Sequence, residues 1–322
     1  MQGMRKVDIH QHIWTAPLLE ALERRRELPF VRRQGRLTVL FLAGERPYVI
    51  ETATETGASR AELLESDGAQ RALVCLSSPL GIESLPRAEA AALIDAYHEG
   101  ALALGEPFGV WGTIPLERPN PVDVDRAIDR GCVGISLPAG ALASVDALAR
   151  MYLVLARLEM IGAPLLVHPG PGIGPYRQEP AGASLNDPLW WPALTRYVAQ
   201  MQAAWLSFGV GGRPEHPRLR VIFSMLAGLA PLQHERLRTR GGPPLDARDA
   251  RIFYDTSSYG PHAIGALAER VGDSQLLYGS DRPVSDPPDL GGSTSVDWDA
   301  IAEATGRALA VREEADRLAG VA

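Results

Sequence analysis

The sequence predicts an α/β fold, an eight-stranded (β/α)8 TIM barrel with insertions after its first and fifth strands. Eight short β-branched or apolar runs alternate with longer amphipathic segments, the pattern of a parallel sheet joined by crossover helices. Pro79, Pro115, Pro138, Pro169 and Pro283 stand at or just past the ends of five runs, where a residue without an N–H leaves a ladder. The turn after the first run, His10-Gln11-His12-Ile13-Trp14, lacks the glycines of a doubly wound dinucleotide-binding sheet.

The runs are Lys6–His12, Arg71–Ser77, Phe108–Ile114, Cys132–Leu137, Pro164–His168, Arg220–Ser224, Arg251–Thr256 and Gln275–Ser280. Between them, Ser59-Arg60-Ala61-Glu62 matches a capping box that opens a short helix. Arg87–Leu104 is rich in alanine and leucine and stops at Gly105. Ser144 is placed to cap a helix over Val145–Ile161 that ends at Gly162. Pro261 suits a first helical turn, and Trp298–Ala319 reads as the closing helix. The first insertion, residues 14–58, carries an Arg-rich helix at Glu20–Glu27 and a hairpin of Leu37–Leu42 with Tyr48–Thr52. The second, residues 169–192, is a Gly/Pro-rich loop ending in Trp190 and Trp191. Both leave from strand tops, where substrate loops sit. The whole chain, 1–322, is expected to be one barrel domain.

Hydrophobic residues at 46% and charged residues at 22% fit a soluble globular protein with a sizeable core. A net charge of −7 argues against a nucleic-acid partner, because phosphate binding needs a positive face. No window reaches the length of a membrane span, and no secretory leader is read at the N-terminus, so a cytoplasmic location is expected. Cys75 and Cys132 lie in apolar runs and read as small buried hydrophobes. Lys6 is the only lysine, at the start of the first run, which excludes Schiff-base chemistry at the strand tops.

The chemistry concentrates at strand ends. Alternation along the first strand puts Asp8, His10 and His12 on one face, where two imidazoles can grip a transition metal. His168 ends the fifth strand and Asp281 the eighth. Closing a barrel sets strands one and eight side by side and strand five across from them, so three imidazoles and a carboxylate converge.

These motifs (Asp-Ile-His-Gln-His at 8–12, Val-His-Pro at 167–169, Tyr-Asp-Thr-Ser at 254–257 and Gly-Ser-Asp-Arg-Pro at 279–283) resemble the amidohydrolase superfamily, in the amidohydrolase-related branch that includes aminocarboxymuconate-semialdehyde decarboxylase. The resemblance runs from residue 6 to about 310. It implies one divalent ion, commonly zinc, on His10, His12, His168 and Asp281, with a bound water as the reactive species. It also implies a homodimer. The binuclear members' bridging lysine on strand four is missing from Cys132-Val133-Gly134-Ile135-Ser136-Leu137.

One position departs from that pattern. The branch carries a catalytic histidine at the end of strand six, and Met225 stands there. A thioether cannot shuttle protons. The sequence therefore favours a hydrolase, in which metal-activated water attacks an ester, lactone or amide carbonyl and Asp281 serves as the base. A nonoxidative decarboxylase of an aromatic or enoic acid is the alternative, and a barrel that has lost the chemistry is the third. His262 and His216 are candidate replacements for the missing histidine. His98 and His234 read as structural and surface residues. Arg282, Arg177 and Arg118 could grip an anionic substrate. Trp14, Trp190, Trp191 and Met225 could wall its pocket.

Overall fold

A computed structural model describes residues 6–35, 37–174, 187–287 and 298–309. Its main sheet has eight parallel strands, one from each predicted run: β1 (Val7–His12), β5 (Arg71–Cys75), β6 (Phe108–Gly112), β7 (Gly134–Pro138), β8 (Leu165–His168), β9 (Val221–Phe223), β10 (Ile252–Asp255) and β11 (Leu276–Leu277). They neighbour one another in chain order. The ring closes where Ile9 N donates to Tyr278 O at 2.9 Å and Asp281 N to His10 O at 2.9 Å. The result is the (β/α)8 barrel that the sequence predicts.

Between β1 and β5 lies a three-stranded antiparallel sheet of β2 (Phe30–Gln34), β3 (Leu37–Phe41) and β4 (Tyr48–Ile50). The predicted hairpin is β3 with β4. The added strand, β2, has Arg32 and Arg33 beside Val31, a weak apolar pattern that pairing with β3 completes. The helix expected at Glu20–Glu27 forms earlier, over Ala16–Glu23, with Pro17 in its first turn. The helix before β5 is capped by Thr56, whose hydroxyl accepts from Ser59 N at 3.2 Å, rather than by Ser59 itself. Ser144 and Gly162 bound the helix Val145–Ile161 as expected. The closing helix is described over Trp298–Leu309.

Two apolar layers fix which side chains face inward. Ile9, Leu73, Trp111, Leu166, Ile222, Phe253 and Leu277 form the barrel interior, closed from one end by Ala304 and Ala308. Alternate residues such as Ala72, Val74, Ile135, Val167 and Tyr254 belong to the larger cluster that includes the outer helices. Two residues beyond the interior apolar layer the chemistry changes. Stepping by the strand period reaches Cys75, Thr113, His168, Ser224 and Asp255. Ser136 joins them, because Gly134, two residues earlier, faces the Trp111 ring. The upper interior is thus a belt of small polar groups and imidazole.

Strand one does not follow simple alternation. The register shifts between Asp8 and Gln11, so a bulge turns Ile9 inward with His10 and His12. Asp8 faces the other way, accepting from Gln11 Nε2 at 2.7 Å and from the Ser280 amide at 3.0 Å. Asp8 is therefore not on the histidine face. The bulge re-aims the two imidazoles toward one point.

Candidate metal centre

His10, His12 and His168 are each at most 5% exposed. Their rings are mutually perpendicular, with interplanar angles of 87–89° and centroids 4.9–5.0 Å apart. Each ring is anchored through Nδ1: His10 donates to Asp255 Oδ2 at 2.8 Å, His12 to the Cys75 carbonyl at 3.0 Å, and His168 to the Pro169 carbonyl at 2.8 Å. Because every Nδ1 faces an acceptor, each Nε2 is left as a lone pair. Two of these lone pairs, on His10 and His12, face one another at 3.3 Å.

Asp281 completes the group. Its Oδ1 lies 3.0 Å from His12 Nε2 and 3.5 Å from His10 Nε2. Yet this oxygen is buried and aligned for a hydrogen bond with no protein group. Facing lone pairs and an orphaned carboxylate oxygen repel unless a cation sits among them. The donor set fits a divalent metal ion on electrostatic grounds. Burial pushes His12 down, but the Cys75 and Asp281 charges outweigh it and carry it up to about 10. His168, buried and facing the other two imidazoles, is held well below the ordinary histidine range. Burial raises the Asp281 carboxyl, and the neighbouring imidazoles more than reverse this. Metal uptake would therefore release protons.

The structure brings together all four residues that the sequence singled out, and adds two. Cys75 offers its sulfur within 4.8 Å of the donor atoms of His10, His12 and His168. Burial raises this thiol, but the His12 and His10 charges bring it down to about 7. The sequence reading of Cys75 as a plain buried hydrophobe is incomplete; only its inward register reveals its neighbours. Asp255, fully buried, accepts from His10 Nδ1 through one oxygen. Its other oxygen accepts from the Met225 amide at 2.9 Å, the Ser257 amide at 3.0 Å and the Ser257 hydroxyl at 2.5 Å. The Tyr-Asp-Thr-Ser motif was visible in the sequence, but not this carboxylate's grip on the imidazole.

The remaining candidates have contacts of their own. Arg282 pairs with Asp67 through two nitrogens, at 3.0 and 3.1 Å, and with Asp286 at 2.6 Å. Trp14 is buried against Tyr48, whereas Trp190 and Trp191 are 56% and 44% exposed. Arg118 is exposed, and Arg177 lies outside the described residues. His262 is exposed, while His216 packs on Tyr152, a residue of the outer helix Val145–Ile161. His98 accepts from the Thr113 amide at 3.1 Å, the structural role expected of it.

Met225 is 7% exposed and begins an unusual turn. Residues 225–229 all have φ between 42° and 62°. Only Gly228 adopts this freely, and there a Cβ would lie 2.8 Å from the Val198 carbonyl oxygen. For the others, left-handed backbone costs about 1–2 kcal/mol per residue. Ala227→Gly is therefore expected to stabilise the fold by about 1 kcal/mol, read as a higher midpoint in urea; an unchanged or lower midpoint would refute the strain.

No family model and no curated protein matches the chain. Solved structures do. The 5-carboxyvanillate decarboxylase LigW from Sphingomonas paucimobilis superposes with a TM-score of 0.70 at 15% identity, covering 96% of this chain and 100% of that one. A 2,6-dihydroxybenzoate decarboxylase complexed with 2,6-dihydroxybenzoate gives 0.64 at 16%, covering 98% and 99%. The LigW2 5-carboxyvanillate decarboxylase from Novosphingobium aromaticivorans, a point mutant with bound manganese and 3-methoxy-4-hydroxy-5-nitrobenzoic acid, gives 0.65 at 14%, covering 98% and 97%. At these identities the likeness is one of fold, along essentially the full length of each chain.

Proposed function

We propose that this chain is a metal-dependent, nonoxidative decarboxylase of an aromatic carboxylic acid, in the amidohydrolase superfamily that its motifs resemble. The observation that carries the reading is the set of three Nδ1-anchored imidazoles whose free nitrogens, with Asp281 Oδ1, surround one point. His10, His12, His168 and Asp281 would hold the ion there, with the Cys75 sulfur beside it. When bound, the ion supplies Lewis acidity and a fixed anchor for the substrate's carboxylate. Imidazole, carboxylate and thiol together favour zinc, whereas the LigW2 structure holds manganese.

The choice of decarboxylation over hydrolysis departs from the first reading of the sequence, which weighted Met225. Aromatic-acid decarboxylases recur among the structures of this fold, and the polar belt supports it. The hydroxyls of Ser136 and Ser224 are buried without a partner among protein groups. Unpaired buried hydroxyls are costly, and a hydroxylated acid bound beside them would satisfy them. Hydrolysis is the second reading, supported by the placement of Asp281 as a base beside the metal point. Among the described residues no helix is long and apolar enough to cross a membrane.

Product analysis decides between the two. Zinc-loaded protein incubated with 2,6-dihydroxybenzoate, 5-carboxyvanillate and a set of lactones is expected to release carbon dioxide from an aromatic acid. His10→Ala is expected to lose both the bound metal and that release. Lactone opening with no carbon dioxide from any acid would replace this reading by hydrolysis.

A further inference from the structure

Decarboxylation leaves a carbon that must take a proton, and Met225 cannot supply it. Among the described residues, a further buried acid stands between the tops of β5 and β6, outside the group of His10, His12, His168 and Asp281. Glu83, on the turn that follows β5, is 0% exposed. The Ser78 hydroxyl donates to its Oε1 at 2.6 Å. Its Oε2 is buried and makes no aligned hydrogen bond to protein.

The place of this carboxyl is fixed from three sides. Ser78 lies three residues past Cys75 and packs against Gly170, two residues past His168. The neighbouring Ser84 hydroxyl donates to the Pro171 carbonyl at 2.8 Å, tying the turn to the loop that leaves β8. The Thr113 hydroxyl, on the polar belt, stands close enough to act on the carboxyl. The titratable groups that face it are the Cys75 thiol from β5 and the Tyr97 phenol from the helix Arg87–Leu102. Neither is a cation when it acts on Glu83, so nothing compensates an anion there. Burial accordingly pushes this carboxyl up to about 7, although the Ser78 hydrogen bond opposes the shift. One oxygen is anchored by Ser78, and the carboxyl keeps a proton to higher pH than an ordinary glutamate.

We propose that Glu83 is the proton donor of this site, taking the part of the histidine that Met225 replaces; the inference rests on the decarboxylase reading. The bond between ring carbon and carboxylate breaks and its electron pair stays on the ring. That carbon takes the Glu83 proton, carbon dioxide leaves, and the Glu83 carboxylate recovers a proton from water as product departs. The same transfer run in reverse exchanges a ring hydrogen of the product with solvent.

That reversal provides the test. Resorcinol, the product expected from 2,6-dihydroxybenzoate, is incubated in D2O with zinc-loaded wild type or Glu83→Gln, and ring deuteration is followed by NMR. Gln keeps the acceptor for Ser78 and removes only the acidic proton. Exchange is expected to fall by roughly 10²–10⁴-fold, the usual contribution of a general acid, with metal content and melting temperature unchanged. The infrared carbonyl band of a buried neutral carboxyl is expected in wild type at pH 6 and absent from Glu83→Gln. Wild-type exchange rates in Glu83→Gln, loss of its metal, or no such band in wild type would each overturn the role of Glu83 and leave the decarboxylase reading standing. A wild type that neither exchanges resorcinol nor releases carbon dioxide from any acid overturns that reading, and this role with it.

Discussion

If the imidazoles hold a divalent ion as proposed, Asp255→Asn is expected to weaken its binding by roughly 10–100-fold, the usual effect of removing a carboxylate that orients a metal-binding imidazole. One Asp255 oxygen accepts from His10 Nδ1, and the other accepts from three donors on Met225 and Ser257. An amide has one oxygen. Whichever way Asn turns, its NH2 meets a donor, and the easier relief is for His10 to shift its proton to Nε2. That hydrogen would then point at the metal. Competition titration against a chromophoric chelator measures the change, with Ser257→Ala as a milder comparison. Undiminished affinity in Asp255→Asn would show that the His10 ring is oriented by packing alone.

Gly140→Ala should be among the most damaging small substitutions in the chain. Just past β7, Gly140 crosses the loop that leaves β8 so closely that a Cβ would sit 2.0 Å from the Gly172 nitrogen and 2.7 Å from the Pro171 carbonyl carbon. Both obstacles are backbone and cannot swing aside. The strands are also laced there, Gly140 N donating to Gly170 O at 3.0 Å. Forced overpacking of this kind costs about 1–3 kcal/mol and occasionally more, so the melting temperature should drop by several degrees. Because Pro169 holds His168 through its carbonyl, zinc affinity should fall with it. A variant with wild-type melting and wild-type affinity would mean that the two loops separate freely.

Much of this was legible in the sequence because it depends on local order. Each barrel strand is a short apolar run bounded by proline or glycine, and the helix at Val145–Ile161 announces both its ends. The meeting of His10, His12, His168 and Asp281 was legible for a related reason, since barrel closure alone decides that the tops of β1, β8 and β11 meet. What depended on register was hidden. The bulge that separates Asp8 from His10 inserts no unusual residue, so strict alternation misplaced Asp8. Cys75 looked like any small hydrophobe until its inward position set it beside two imidazoles. Asp255 and Glu83 carry no motif for their roles, and each acquires one only through partners far along the chain. Arg282 illustrates the opposite case: it follows Asp281 in sequence, yet its side chain is occupied by Asp67.

The carboxylate of Asp255 grips residue 225 by its peptide nitrogen and not by its side chain. The tether is therefore blind to which amino acid occupies that position, provided it is not proline. A replacement for the thioether therefore keeps this amide tether, and with it the support of the His10 imidazole. The side chain at this position can thus change without altering the contact that holds the ring.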